Sequence, residues 1–457
     1  MENIKLEDLK NKKFHFIGIG GISMSALAMV LHKKGFMVQG SDLVKNHEAL
    51  RLERAGVKIF EGHLQKNVSD CEVVVYSSAV KDDNIEFKFA KQNELILLKR
   101  AELLAMIAAE HETVIAVAGS HGKTTTTAML AEVFVKAGCC PSYQVGGVLK
   151  SSNSNFKIGA KDYFIVEACE YQDNYLFFKP DIAVVLNVDS DHLDYFKSLD
   201  GVKKSFQNFA GLVKEKENLF VCADDKNSAE MIDCSTTFGV NRQAEFMAIN
   251  IKEYKPCYFE FDVLQKKVKL GKIRLNILGR HNVFNALAVI AISVSCGIRF
   301  DKIKFAIENF KGVKRRTEFI SKVCGAEIYH DYAHHPKQIE KMIMVGRKLV
   351  KRVKGKVIVV FEPHTFSRTR FLIKEFVDAL SKADYVILAP VYSARELPEE
   401  GYDSLKLSND IKEKLNNVEY LESYAEIKKR VEEVSCENDV VMILGAGSIE
   451  HLAKMWK

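Results

Sequence analysis

The residues best suited to chemistry lie in Ala118–Thr127, AGSHGKTTTT, where two glycines precede a lysine and a run of threonines. Glycine lets a backbone approach a phosphate closely, a lysine ammonium can reach its β and γ oxygens, and a threonine hydroxyl can join Mg2+. Gly119, Ser120, His121, Gly122, Lys123, Thr124 and Thr125 are therefore a candidate phosphate-binding loop. It is shorter than the common GxxxxGK[ST] form, because Val117 stands five residues before Gly122. The context is right: a β-branched strand precedes it and a helix follows. Further on, VEACEYQDN supplies Glu167 and Glu170, and NVDSDHLDYF supplies Asp189, Asp191, His192 and Asp194. Each cluster alone reads as a solvated turn. Behind two strands of the same unit as a phosphate loop, they point to metal-assisted phosphoryl transfer.

Other motifs leave two readings open. GIGGISMSALA places Gly18, Gly20, Gly21 and Ser23 between a strand and a helix, with Asp42 about 20 residues on as a candidate ribose ligand. Ser23 stands where a dinucleotide fingerprint wants Gly or Ala, so the turn is either a diphosphate site or purely structural. In GRHNVFNALA, His281, Asn282 and Asn285 sit at a helix start, where capping is the default role. GVKRR, Gly312–Arg316, is either a solvated hinge or a clamp on phosphate. HDYAHHP, His330–Pro336, and EPHTFSRTR, Glu362–Arg370, both join a strand to a helix and should face a ligand at the strands' C-terminal ends. Adjacent histidines without companion cysteines argue for polar contacts rather than zinc. Gly445-Ala-Gly447 is a third glycine turn able to hold an anion.

The elements that must position these residues alternate along the chain. Strand-length apolar runs at Lys13–Ile19, Thr113–Ala118, Tyr163–Val166, Val357–Phe361 and Val440–Leu444 are separated by helical stretches such as Lys123–Lys136 and Pro336–Val350. That order predicts an α/β fold with parallel sheets. At 457 residues the chain should form about three domains, drawn at 1–110, 111–312 and 313–457. Hydrophobic residues make up 47% and charged residues 28%, a globular profile. A net charge of +6, spread along the chain, gives no support to a nucleic-acid partner. No apolar run reaches the roughly 18 residues a membrane span needs. Ten scattered cysteines without a CxxC pair suit reduced thiols, and the expected location is cytoplasmic.

The glycine turn, AGSHGKTTT, HNVFNAL, GVKRR, DYAHHP and PHTFSRTR, in that order from about Phe14 to Ile449, resemble the Mur ligases of peptidoglycan synthesis. The resemblance implies a Rossmann-like N-terminal domain for a UDP-sugar, a central P-loop ATPase domain and a Rossmann-like C-terminal domain for an amino acid. It is nearest to members that join L-alanine to the lactyl carboxylate of UDP-N-acetylmuramate through an acyl phosphate. Carried over by motif, Gly119–Thr125 would hold ATP, with Lys123 on the transferring group. Thr124, Glu167 and His192 would hold Mg2+, with Mn2+ as an alternative. Asn282, Arg316 and Asp331 would reach ATP. Gly18, Gly20, Gly21, Ser23, Asp42, Ser77 and Ser78 would meet the UDP-sugar. Tyr332, His334, His364 and Arg368 would meet the acyl phosphate and alanine, His334 and Arg368 being catalytic beside Lys123, Glu167 and His192. Thr365 stands where some members carry Arg, and Ser120 where Thr is frequent. The expected state is a monomer or weak homodimer, without membrane insertion. Rival readings are a ligase that attaches a ready-made tripeptide, a nicotinamide-dependent oxidoreductase built on the first glycine turn, and a nucleotide-binding regulator without turnover.

Overall fold

The computed structural model describes residues 4–231, 233, 235–350, 354–394, 396–397 and 401–457. Three sheets follow one another along the chain. The first holds β1 (Lys13–Ile17), β2 (Met37–Asp42), β3 (Lys58–Glu61), β4 (Val73–Tyr76) and β5 (Ile96–Lys99). They are all parallel, in the order β3-β2-β1-β4-β5. Strand order reverses between β1 and β4, so a crevice opens beyond their C-terminal ends, beside the glycine turn at Gly18.

The second group holds β6 (Thr113–Ala118), β7 (Ser142–Leu149), β8 (Ser154–Lys157), β9 (Tyr163–Glu167), β10 (Ile182–Val185), β11 (Leu219–Cys222) and β12 (Thr236–Gly239). β6 lies between β9 and β10, parallel to both. Its TVIAVA is buried after the first residue, as expected of a central parallel strand covered on both faces. β13 (Phe246–Lys255), β14 (Tyr258–Gln265) and β15 (Val268–Arg274) follow, with β14 and β15 antiparallel. Alternating apolar and charged residues in FEFDVL against VKLGKIR suit a half-exposed hairpin rather than a helix-covered strand.

The third sheet holds β16 (Glu318–Val323), β17 (Ala326–Asp331), β18 (Val357–Phe361), β19 (Tyr385–Leu388), β20 (Val418–Tyr420) and β21 (Val440–Leu444). Its order is β16-β17-β21-β18-β19-β20, with only β16 antiparallel. Successive residues of β18 feed opposite faces: Val359 and Phe361 enter one core, Ile358 and Val360 the other.

Packing gathers the chain into two compact units. The first contains the chain up to Gly146, Asn155–Met247 and Leu287–Lys302; the second contains Gly147–Ser154, Ala248–Ala286 and Ile303–Lys457. In the first unit one continuous core joins Phe16, Leu104 and Ile107 to Phe164, Phe206 and Val221. Burying each such side chain contributes about 1.5–3 kcal/mol. Among the described residues the cysteines are free thiols, and no helix is long and apolar enough to cross a membrane.

Candidate active site

The phosphate loop leaves β6 at Gly119, whose φ of +143° and close packing on Leu186 leave no room for a Cβ. Gly122, at φ +86°, starts the helix Lys123–Ala137. Asn187, just beyond β10, pins the loop from both sides: its Oδ1 accepts from the His121 N–H at 2.8 Å and its Nδ2 donates to the His121 carbonyl at 3.0 Å. Ser120 bonds to Asp189 through Oγ, and His121 Nε2 lies 3.2 Å from the Asp189 carboxylate. Lys123 Nζ donates to the Gly119 carbonyl at 2.6 Å and pairs with the Glu170 carboxylate at 2.8 Å. Burial opposes the charge on Lys123, but Glu170 outweighs it and holds the ammonium above its usual pKa.

The Thr124 hydroxyl donates to Glu167 Oε1 at 2.9 Å, and the Gly146 N–H donates to Glu167 Oε2 at 2.6 Å. Nearby, Glu170, Asp191 and His192 bring one potential ligand atom each within 4.8 Å of one another. His192 adopts φ +53° and packs its ring on Tyr171, with centroids 4.8 Å apart. A hydroxyl, carboxylate oxygens and an imidazole suit a hard divalent cation such as Mg2+ or Mn2+. The expected loop residues, Glu167 and His192 thus gather on the C-terminal edge of β6, β9 and β10. Sequence reasoning missed Asn187 and Gly146; their only signal was a polar residue or glycine just past, or late within, a strand.

The first sheet's turn is also well formed, with Gly18 at φ +76°. Asp42 Oδ2 accepts from the Gly20 N–H at 2.8 Å and Oδ1 from the Leu43 N–H at 2.8 Å. Asn46 donates to the Gly20 carbonyl. Asp42 thereby shapes the turn it was expected to complement. Ser23 Oγ accepts from Arg100 at 3.0 Å, while Ser77 and Ser78 follow β4 at the crevice.

In the second unit, Asn282 does not cap. Its Nδ2 donates to the Leu278 carbonyl at 2.7 Å and its Oδ1 accepts from Asn285, because it lies within the helix His281–Ser295 rather than before it. The Arg315 and Arg316 guanidinium groups lie 4.9 and 5.0 Å from the Tyr332 ring centre. Asp331 accepts from the N–H groups of Thr317 and Ala333. Burial raises its pKa, with Arg316 opposing. His334 and His364 rings lie 5.9 Å apart, and Arg368 approaches His364 Nδ1 at 3.2 Å. Burial, helped by Arg368, pushes His364 down to about 4, so it is neutral at pH 7. Thr365, at φ +69°, caps the short helix Phe366–Phe371 by accepting from the Arg368 N–H.

Two expectations need correction. His330 does not face a ligand: it is 2% exposed within β17, because this part of the strand is covered on both faces, Ile328 to Asp331 all being buried. The Gly445–Gly447 turn is not an open ring of donors. Its carbonyls at Gly445 and Gly447 accept from Arg315, while the Gly445 N–H donates to Asp331 and the Ile449 N–H to Glu362. Two of its donors, the N–H groups at Gly445 and Ile449, are thus engaged within the protein.

Comparison with known proteins agrees along the whole chain. Residues 13–112 match the model described as Mur ligase family, catalytic domain. Residues 117–293 match the Mur ligase middle domain, and 315–447 the Mur ligase, glutamate ligase domain. A UDP-N-acetylmuramate–L-alanine ligase of Caldicellulosiruptor saccharolyticus is 41% identical over 96% of both chains. That of Caldanaerobacter subterraneus subsp. tengcongensis is 38% identical over 96% of both. The crystal structure of the UDP-N-acetylmuramate-alanine ligase of Thermotoga maritima superposes with a TM-score of 0.82 at 27% identity, covering 98% of each chain. With three α/β sheets, a phosphate loop on the central one and matches that run from end to end, the chain belongs to the Mur ligase family.

Proposed function

We propose that the protein joins the amine of L-alanine to the lactyl carboxylate of UDP-N-acetylmuramate, with ATP converted to ADP and phosphate. The observation that carries this reading is the Gly119–Thr125 loop, with Lys123 against Glu170 and Thr124 against Glu167, in a chain aligned throughout with ligases of that name. The Mur ligase family uses ATP. A carboxylate is a poor acyl donor because its leaving group would be oxide. Its oxygen therefore attacks the γ-phosphorus, the bond to ADP breaks, and the acyl phosphate so formed offers phosphate as leaving group to the alanine nitrogen.

The protein's task is positioning and charge neutralisation. In this reading Lys123 exchanges its carboxylate partner for phosphate oxygens and offsets the charge on the transferring group. Thr124, Glu167 and His192 would hold Mg2+ or Mn2+, which when bound supplies further neutralisation of the triphosphate. Asn282, Arg316 and Asp331 are assigned to ATP. The Gly18–Ser23 turn, Asp42, Ser77 and Ser78 are assigned to the UDP-sugar. Tyr332, His334, His364 and Arg368 are assigned to the acyl phosphate and alanine, and neutral His364 is suited to sit near a cationic or nucleophilic amine. Residues 1–110, 111–312 and 313–457 serve sugar nucleotide, ATP and amino acid in turn, a division supported by the family matches at 13–112, 117–293 and 315–447. The reaction belongs in the cytoplasm, carried out by a monomer or weak homodimer.

Phosphate release with ATP, Mg2+ and UDP-N-acetylmuramate tests this, with L-alanine, a tripeptide or neither added. Release that requires L-alanine is expected. Release only with tripeptide would move the protein to the recycling branch of the family.

A further inference from the structure

A cavity of about 180 Å3 in the first unit lies beyond the C-terminal ends of β4 and β5. Ser77, Ser78, Lys99 and Arg100 line it from the first sheet, and Gln172 and Asn174 from the segment after β9. Two cations and no carboxylate line this space, so its chemistry is that of an anion site.

Arg100 is the forked donor in this lining. Its NH1 donates to Ser23 Oγ at 3.0 Å, on the glycine turn after β1, and among the described residues it makes no ion pair. Burial depresses its pKa, with Cys169 and the Glu167 carboxylate acting the other way, so the guanidinium lies within electrostatic reach of the Thr124–Glu167 pair. Arginine stays charged in proteins, and this half-buried guanidinium spends one of its five donors on Ser23 and, among the described residues, keeps the others free for an anion. Opposite it, Gln172 and Asp173 adopt φ values of +54° and +55°. Such backbone is strained for a non-glycine residue and persists where surrounding contacts enforce it. Here Asp173 is held by Tyr195 and Ser205, and the result is that the Gln172 amide, which makes no hydrogen bond among the described residues, reaches the cavity wall.

We propose that this cavity seats the acceptor carboxylate of the sugar nucleotide, gripped by the forked guanidinium of Arg100 and bounded by Gln172, between the glycine turn and Glu167. The inference rests on the ligase reading and deepens it. A diphosphate at the glycine turn is served by backbone N–H groups, whereas a planar carboxylate matches two parallel N–H donors of one arginine. A cation here also offsets the repulsion between an attacking carboxylate and the γ-phosphate.

Titration calorimetry of wild type, Arg100→Gln and Arg100→Lys with UDP-N-acetylmuramate and with UDP-N-acetylglucosamine tests the assignment. The two ligands share the nucleotide and diphosphate, but only the first carries the lactyl carboxylate. Arg100→Gln should weaken the first by about tenfold or more and leave the second within about twofold, while Arg100→Lys should recover part of the loss. Equal weakening of both ligands would place Arg100 on the diphosphate and overturn the proposal, as would no change in either. Gln172→Leu, should Arg100→Gln fail to fold, must show the same selective loss, or the proposal falls. A wild-type protein that binds neither ligand would sink the ligase reading itself, independently of Arg100.

Discussion

Lys123 carries two roles that the sequence presents as one. As a phosphate-loop lysine it should be dispensable for the fold, but its ammonium also neutralises Glu170, which is 1% exposed. Removing one member of a buried pair strands the other and costs roughly 3–5 kcal/mol. Lys123→Ala should therefore lower both turnover, by orders of magnitude, and the melting temperature. Adding Glu170→Gln should restore the melting temperature without restoring turnover. Measuring both quantities on the single and double variants checks this, and a double variant as unstable as the single one would refute the pairing. At this scale the loop was legible because glycine, lysine and threonine stand together in strand-turn-helix context, and Glu167 and His192 because they follow strands of the same unit. Arg100, Asn187 and Gln172 were not. Arg100 depends on Ser23 and Asn187 on His121, neighbours distant in sequence, and Gln172 on a left-handed backbone turn, and no local pattern announces these.

Strands and helices behave more predictably than single side chains. The strands Thr113–Ala118, Val357–Phe361 and Val440–Leu444 and the helix Pro336–Val350 stand where apolar runs and periodicity put them. What escaped was the hairpin of β14 and β15, whose antiparallel pairing needs no helical crossover to announce it. The third glycine turn misled for a related reason: a glycine turn reveals backbone freedom, not which of its groups face outward. The end of β7 shows how an element aims a side chain. A Cβ at Gly146 would lie 2.6 Å from both Glu167 oxygens. Gly146→Ala should thus displace Glu167, lowering kcat about tenfold or more while costing only about 1–3 kcal/mol in stability. Steady-state kinetics beside thermal melts would test it; unchanged kcat would mean that Glu167 is not held by this contact in catalysis.

The whole molecule should respond to acid unevenly. His330, in the second unit, is held by burial at about 4, with Arg315 and Lys457 disfavouring its proton and Glu318 and Glu450 favouring it. Because the folded pKa lies below the unfolded value near 6.5, the unfolded chain binds the proton more readily. Stability should fall as pH drops from about 6.5 to about 4, by roughly 1–3 kcal/mol, then level off. In the first unit, burial works against the Glu86 charge, but hydrogen bonds led by His15 outweigh it and hold the carboxyl at about 2. That contribution is complete above about 4.5 and is lost only as pH falls towards 2. Hydrogen exchange followed from pH 7 to 4 should lose protection at β17 and β21 before β1 and β2, and His330→Gln should flatten the difference. Simultaneous loss would count against this account. The chain's threading has a further consequence for its synthesis. It passes between the two units five times, and the first unit is not complete until Lys302. A ribosome adding about 5–20 residues per second must therefore release some two-thirds of the polypeptide before that unit can close. The sheet of β1–β5 is complete by Lys99, yet the unit that contains it gains its last segment, Leu287–Lys302, only much later, and in that interval surface meant for late-made residues stands open to a chaperone.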